Sequence, residues 1–262
     1  MRTDDQPSPE AVKTWLGGCF LSHISKPDLL NLVADWIGAG EKGHYVAAIN
    51  VSKLVAMQSD EKLAGFLRSS SVNIADGAPI YAATRLVGKP IPERITGVGL
   101  MEDLMELADE NQYRVFFLGS KQDVLEKVID QCERAHPGLV VAGARNGYFG
   151  KEQEPSIVAE IAASNADILF VALGIPQKEY FVDDHIEELN VSLALPVGGA
   201  FDVFAGSKIR APRWVQRLGV EWLWRSVYDR SRAGLIRSSF LPFMKIVLRE
   251  ILSQRFSKRE KM

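Results

Sequence analysis

The sequence predicts an α/β fold: a Rossmann-like parallel sheet with helices on both faces, followed by a basic helical C-terminal appendage. Three observations predict it. Apolar, β-branched runs recur along the chain as far as Val197; amphipathic stretches of helical length separate them; and after Ala205 the alternation stops.

The strand-like runs are His44 to Asn50, Val72 to Ala75, Arg114 to Leu118, Leu139 to Ala144, Asp167 to Leu173 and Val191 to Val197. Between them Leu100 to Asn111, Lys121 to Ala135 and Pro155 to Ala163 have the length and spacing of crossover helices. Such alternation is the pattern of a sheet covered on both faces, because parallel strands need a long connection that packs back on the sheet. The stretches Ala211 to Arg225 and Tyr228 to Arg255 read as short helices rich in arginine, tryptophan and leucine. The expected organisation is a core of residues 1–206 and an appendage of residues 207–262.

At 262 residues, 47% hydrophobic and 24% charged, the chain can bury a sizeable core. The net charge of −2 conceals a strong asymmetry. From Ser207 onward there are 14 Lys and Arg against 4 Asp and Glu, a net +10, and the preceding body carries −12. A basic tail on an acidic body predicts an anionic partner. The longest apolar runs, such as Ile168 to Ile175, fall well short of the roughly 20 residues a spanning helix needs. Met1 to Glu10 is polar and acidic, unlike an export signal. Cys19 and Cys132 lie far apart and fit buried thiols of a reducing compartment better than a disulfide or metal framework.

In folds of this class ligands bind outside the carboxyl ends of the strands. Asp76 stands at such an end, where its carboxylate is placed either to act as a general base or to cap the helix starting near Ala78. Arg94, in the loop after Pro90 and Pro92, suits a bidentate grip on a diphosphate or a pairing with Glu93. The amides of Gly119 and Ser120 precede a helix from Lys121 and are expected to face a phosphate. Asn50, Tyr148, Gly174 and the Gly198-Gly199 turn with Asp202 are the other strand-end candidates, Asp202 serving a sugar hydroxyl or a helix cap. His185, after Asp183 and Asp184, reads as a solvated surface residue. The chain lacks the glycine fingerprints of dinucleotide enzymes and P-loop ATPases, and no D-x-D or histidine pair asks for a divalent metal, so neither cofactor nor metal is expected.

These residues resemble the WecG/TagA/CpsF glycosyltransferase family, family 26, over roughly Asn50 to Arg225. The most specific stretches are Val197 to Asp202 (VGGAFD) with Ala205-Gly206, then Arg210 to Trp214 (RAPRW) and Leu218 to Arg225 (LGVEWLWR). Asn50, Asp76-Gly77, Glu93 to Gly97 (ERITG), Gly147 to Phe149 (GYF) and Gly174 to Pro176 (GIP) fit in the same order. The resemblance implies transfer of a hexose-type sugar (N-acetylmannosamine, its uronic acid or glucose) from a UDP donor to a polyprenyl-diphosphate-linked sugar, with inversion, for a bacterial surface polysaccharide. It favours Asp76 as catalytic base.

Two departures stand out. Where the family carries Pro-x-Gln-Glu this chain has Pro176, Gln177, Lys178 and Glu179, so either Gln177 substitutes or Lys178 brings a cation to the donor site. Ala48 stands where the family tends to have threonine, leaving Asn50 to contact the sugar.

Arg210, Arg213, Arg217 and Arg225 are expected to meet the UDP and acceptor phosphates and the anionic inner face of the plasma membrane, with Trp214, Trp222 and Trp224 in the headgroup layer. The chain is thus expected to be cytoplasmic and peripheral, with no nucleic-acid partner and its homo-oligomeric state open. The rival expectations are a catalytically inactive sugar-nucleotide-binding scaffold and a nucleic-acid-binding module.

Overall fold

The computed structural model describes residues 13–207, 212, 215 and 230–259, with 230–237 and 254–259 described by backbone alone. The six expected strands are all present: β3 (His44–Ile49), β4 (Val72–Ala75), β5 (Arg114–Gly119), β6 (Val140–Arg145), β7 (Ile168–Ala172) and β8 (Leu193–Pro196). They form one sheet in the order β4-β3-β8-β7-β5-β6, flanked by helices. β3 with β8, β8 with β7, β7 with β5 and β5 with β6 all pair in parallel. Val115 to Leu118 and Ile168 to Val171 are buried throughout, as befits central strands covered on both faces.

Two strands precede these six. β1 (Lys13–Leu16) and β2 (Cys19–Ser22) form an antiparallel hairpin whose Leu16↔Cys19 register leaves a two-residue loop, Gly17-Gly18. Both glycines have positive φ, 59° and 80°, the demand of a tight hairpin turn that matches strand twist.

The chain divides into two compact units, each discontinuous in sequence: Met1–Ser25, Ala48–Thr96 and Ala211–Met262, and Lys26–Ala47 with Gly97–Arg210. Of the described residues beyond the expected cut at 206, those from 230 on group with the hairpin in the first unit.

In that first unit the hairpin packs on β4 and on α3 (Glu61–Ser69). Asp60 caps α3, its carboxylate accepting the Leu63 amide at 3.0 Å, and Leu63, Ala64, Phe66 and Leu67 form the buried face. The short α2 (Val51–Ala56) and α4 (Ala78–Leu86) follow β3 and β4 directly.

The tail differs from expectation. Ala211 to Arg225 lies outside the described residues apart from 212 and 215, while the stretch expected from Tyr228 to Arg255 is not short but part of one helix of 30 residues, Arg230–Arg259, running through Pro242. Numbering the helices in chain order, with α1 at Lys26–Gly38, this is α10. Ser239, Phe243 and Val247 at i, i+4, i+8 are buried, α10 lying against α2, β1 and α4. The hairpin turn is pinned to it: the Gly17 amide donates to Glu250 Oε1 at 3.1 Å. Any Cβ on Gly17 would come within 2.8 Å of Ile246. Leu241, Met244, Leu248 and Leu252 point outward and are exposed.

In the second unit α1 lies beside α5 (Gly97–Asn111), joined by Lys26 to Asp103 at 3.0 Å. α6 (Gln122–Ala135) buries Leu125, Val128 and Cys132 and packs on β6 and on α9 (Ala200–Phe204). α7 (Glu154–Ala163) and α8 (Gln177–His185) complete it. Phe117 of β5 centres an aromatic cluster with Phe170 and Phe201, at centroid distances of 5.7 and 5.9 Å.

Candidate active site

The candidate residues fall into one group in each unit. In the first, the ends of β3 and β4 are tied by the Asp76 amide, which donates to the Ile49 carbonyl at 2.8 Å. That bond brings Asn50 and Asp76 to adjoining strand ends. Asn50 caps α2, its Oδ1 accepting the Lys53 amide at 2.9 Å, which commits the oxygen and leaves the carboxamide NH2 as its donor.

Asp76 is half-buried and is not the cap of α4. Gly77 takes that position, with φ 115° and without a side-chain bond, and Pro79 follows in the first turn. No described residue hydrogen-bonds or ion-pairs with the Asp76 carboxylate. A half-buried carboxylate left open at a strand end is the geometry a general base requires.

Arg94 is half-buried between Ile91 and Ile95, both in the core, and its Nη1 is sealed from solvent. A residue the sequence reading passed over lies further along α4: the Arg85 guanidinium rests over the Tyr81 ring, 4.0 Å from its centroid.

In the second unit, the turn after β5 is built on close backbone approach. Gly119 has φ +128°, and any Cβ there would run into the Ala172 carbonyl. Ser120 also lies in the left-handed region, at φ 60°, and its amide donates to the Ala172 carbonyl at 3.1 Å. The expectation that both amides face a phosphate is therefore corrected for Ser120: its N–H is spent inside the protein, and its hydroxyl is the group left to a ligand.

Tyr148 is mounted on this turn. Gly147 donates to the Ser120 carbonyl at 2.8 Å, and a Cβ on Gly147 would meet Leu173 at 2.8 Å and Gly119 Cα at 3.0 Å. Asn146 accepts the Tyr148 amide at 3.1 Å and donates to Gln122 at 3.1 Å. Tyr148 is 71% exposed, while Phe149 beside it anchors the loop edge-on against Phe181.

Gly174 follows β7, and the Gln177 Oε1 lies 3.1 Å from where a Cβ would stand, so glycine lets this side chain reach over the strand end. Gln177 is exposed, but Lys178 is 2% and Glu179 0% exposed, their charges 3.0 Å apart in the interior. Of the two sequence alternatives, burial leaves Gln177 as the side chain available to a donor and gives the Lys178 ammonium an internal partner.

Asp202 is half-buried in the first turn of α9, whose capping position belongs to Gly199. Arg210, Arg213, Arg217 and Arg225, with Trp214, Trp222 and Trp224, lie outside the described residues.

His185 is corrected: it is not a solvated residue but half-buried, with Nε2 3.4 Å from Glu154 Oε2 and its ring 5.2 Å from Phe181. Cys19 and Cys132 are buried, and burial pushes both thiols up to about 12, which keeps them protonated and inert. Among the described residues no group of three His, Cys, Asp or Glu is placed to hold a metal ion. No helix among them is long and apolar enough to cross a membrane.

Comparison with known proteins gives this geometry a context. Residues 14–257 match the Glycosyl transferase WecG/TagA/CpsF family. A relative named N-acetylglucosaminyldiphosphoundecaprenol N-acetyl-beta-D-mannosaminyltransferase from Bacillus spizizenii is 32% identical over 191 residues, 73% of this chain and 74% of its own. Proteins of the same name from Bacillus subtilis strain 168 and Staphylococcus aureus strain NCTC 8325 are 32% and 31% identical, covering 71% and 69% of this chain and 72% and 70% of their own. On a match that spans nearly its whole length, the chain belongs to the WecG/TagA/CpsF family of glycosyltransferases.

Proposed function

We propose that the chain is an inverting hexosyltransferase that moves a sugar, N-acetylmannosamine by preference, from a UDP donor to N-acetylglucosamine on a polyprenyl diphosphate, without a metal. The observation that carries this reading is the Asp76 carboxylate, held at a strand end by its own backbone and claimed neither by the α4 cap nor by any described residue. The names of the relatives supply the donor sugar and the acceptor.

In this mechanism Asp76 takes the proton from the acceptor hydroxyl as that oxygen attacks the anomeric carbon from the face opposite UDP. One displacement inverts the centre. Departing UDP gains negative charge, which the Arg94 guanidinium and the basic residues Arg210, Arg213, Arg217 and Arg225 meet. The Asn50 NH2, Gln177 and Asp202 hold sugar and ribose hydroxyls, while Gly119 and the Ser120 hydroxyl border the phosphates. Tyr148, rigidly mounted yet exposed, offers a ring face to the base.

The acceptor is a membrane lipid, and the protein works at the anionic inner face of the plasma membrane. The outward stripe of α10, Leu241, Met244, Leu248 and Leu252, with exposed Lys245 and Arg249 between, has the composition of an interfacial helix. The testing experiment offers radiolabelled UDP sugars to lipid-diphosphate-linked N-acetylglucosamine in EDTA. Transfer is expected from UDP-N-acetylmannosamine. UDP binding with no transfer from any donor would replace this reading with that of a sugar-nucleotide-binding scaffold.

A further inference from the structure

α4 carries one charged residue, Arg85, and its setting is unusual. The guanidinium carbon lies over the Tyr81 ring one turn earlier, 4.0 Å from the centroid, while the side chain is exposed and no described carboxylate pairs with it. A ring face fixes the position of a guanidinium without using its edge N–H groups, so the planar donor fork stays open for a bidentate anion.

The face on which Arg85 stands leads back to the base. Ala78, Tyr81, Ala82 and Arg85, at i, i+3, i+4 and i+7, form the open stripe of α4, whereas Ile80, Ala83 and Thr84 are buried. The stripe starts two residues after Asp76, and the two alanines keep its floor low. At 1.5 Å of rise per residue, Tyr81 stands roughly 8 Å beyond Asp76. Helical side chains lean toward the N-terminus, and the stacking on Tyr81 brings the Arg85 charge back to that level. Next to it Leu86 is 64% exposed. A base, a shallow apolar floor, a fixed cation and an exposed aliphatic side chain thus follow one another along the chain. A lipid-linked sugar presents its parts in the same sequence: hydroxyl, hexose ring, diphosphate, hydrocarbon.

We propose that Arg85, seated on Tyr81, is the diphosphate contact of the acceptor. The hydroxyl of the acceptor sugar lies at Asp76, its ring runs over Ala78 and Ala82, both phosphates are gripped by the Arg85 fork, and the prenyl chain leaves past Leu86. This assignment rests on the reading of Asp76 as base.

The test is direct binding, by calorimetry, of a short-chain prenyl diphosphate carrying N-acetylglucosamine, and separately of UDP, to the full chain and to Arg85→Ala, Arg85→Lys and Tyr81→Phe. A charge-assisted bidentate contact predicts that Arg85→Ala raises the Kd for the lipid-linked sugar roughly tenfold to a hundredfold and leaves that for UDP in place. Arg85→Lys keeps the charge but loses the fork and falls between; Tyr81→Phe keeps the ring and matches the parent. A benzyl glycoside of N-acetylglucosamine, which lacks the diphosphate, binds parent and Arg85→Ala alike. Equal affinity of parent and Arg85→Ala for the diphosphate ligand overturns the proposal, as does equal loss with the benzyl glycoside or no binding of the diphosphate ligand by the parent. Arg85-dependent binding without turnover sustains the proposal while ending the transferase reading.

Discussion

Replacing Asp76 by asparagine exchanges one carboxylate oxygen for an NH2 of nearly the same size and removes the ability to accept a proton. The cost to the fold is small and can be argued bond by bond. The hydrogen bond joining β4 to β3 at this point uses the Asp76 backbone amide, which asparagine retains. The α4 cap is Gly77, and no described group binds the carboxylate. Stability should therefore stay within about 0.5 kcal/mol of the parent. The cost to turnover is that of a positioned base, about 10² to 10⁴ in kcat, or roughly 3 to 5 kcal/mol of barrier. The assay is initial-rate transfer from radiolabelled UDP-N-acetylmannosamine to the lipid-linked acceptor in EDTA, with UDP affinity and the thermal midpoint of each protein measured alongside. A variant within about threefold of parental turnover would refute the assignment, and so would a fall in midpoint large enough to account for the lost activity.

Other consequences follow from burial and charge. Lys178→Met removes the ammonium 3.0 Å from the buried Glu179 carboxylate and should cost about 3 to 5 kcal/mol in urea unfolding, with Glu179→Gln in the same chain recovering most of it. Burial raises the Cys19 and Cys132 thiols to about 12 from an ordinary 9.0, so the folded state holds protons that the unfolded state releases. Stability is thus unaffected below pH 9 and declines between about pH 9 and 12, by up to about 1.4 kcal/mol per pH unit for each thiol. Cys19→Ala with Cys132→Ala should flatten that decline in alkaline unfolding curves. Leu241→Glu with Leu248→Glu places charges on the outward face of α10, and should weaken sedimentation with anionic vesicles at least about tenfold at unchanged thermal midpoint.

What the sequence revealed and what it hid divide along local and distant interactions. β5 and β7 are continuous apolar runs because both of their faces are covered, and that pattern needs no partner to be recognised. The β1–β2 hairpin was passed over although Gly17-Gly18 marks its turn: four residues per strand are too few for an alternation to emerge, and β2 is buried on both faces. α10 lies within the stretch read as helical from Tyr228 to Arg255, and its passage through Pro242 is sustained by Phe243 and Val247, just past the proline, which are buried.

Within the candidate site, positions were legible and roles less so. The glycine turns pointed to Gly119 and Gly174 because a required positive φ or close approach leaves a local mark. That the Ser120 amide is consumed by Ala172, that Lys178 is turned inward while Gln177 is not, and that His185 meets Glu154 depend on pairings the linear order does not display. Arg85 was overlooked since a tyrosine and an arginine four apart on a helix are common, and only their stacking and lack of a carboxylate set this pair apart.

The bond between Gly17 and Glu250 joins residues more than two hundred positions apart, and it has a consequence for biosynthesis. The second unit is made of residues up to Arg210, whereas the first includes α10, which packs on α2 and on β1 of the hairpin. As the nascent chain emerges, Asp76 and Asn50 belong to a unit still missing part of its core until the residues around Phe243, Val247 and Glu250 have left the ribosome. The unit that holds Asp76 and Asn50 is consequently the last to have all its residues, and a ribosome that stalls before α10 should leave it without that part of its core.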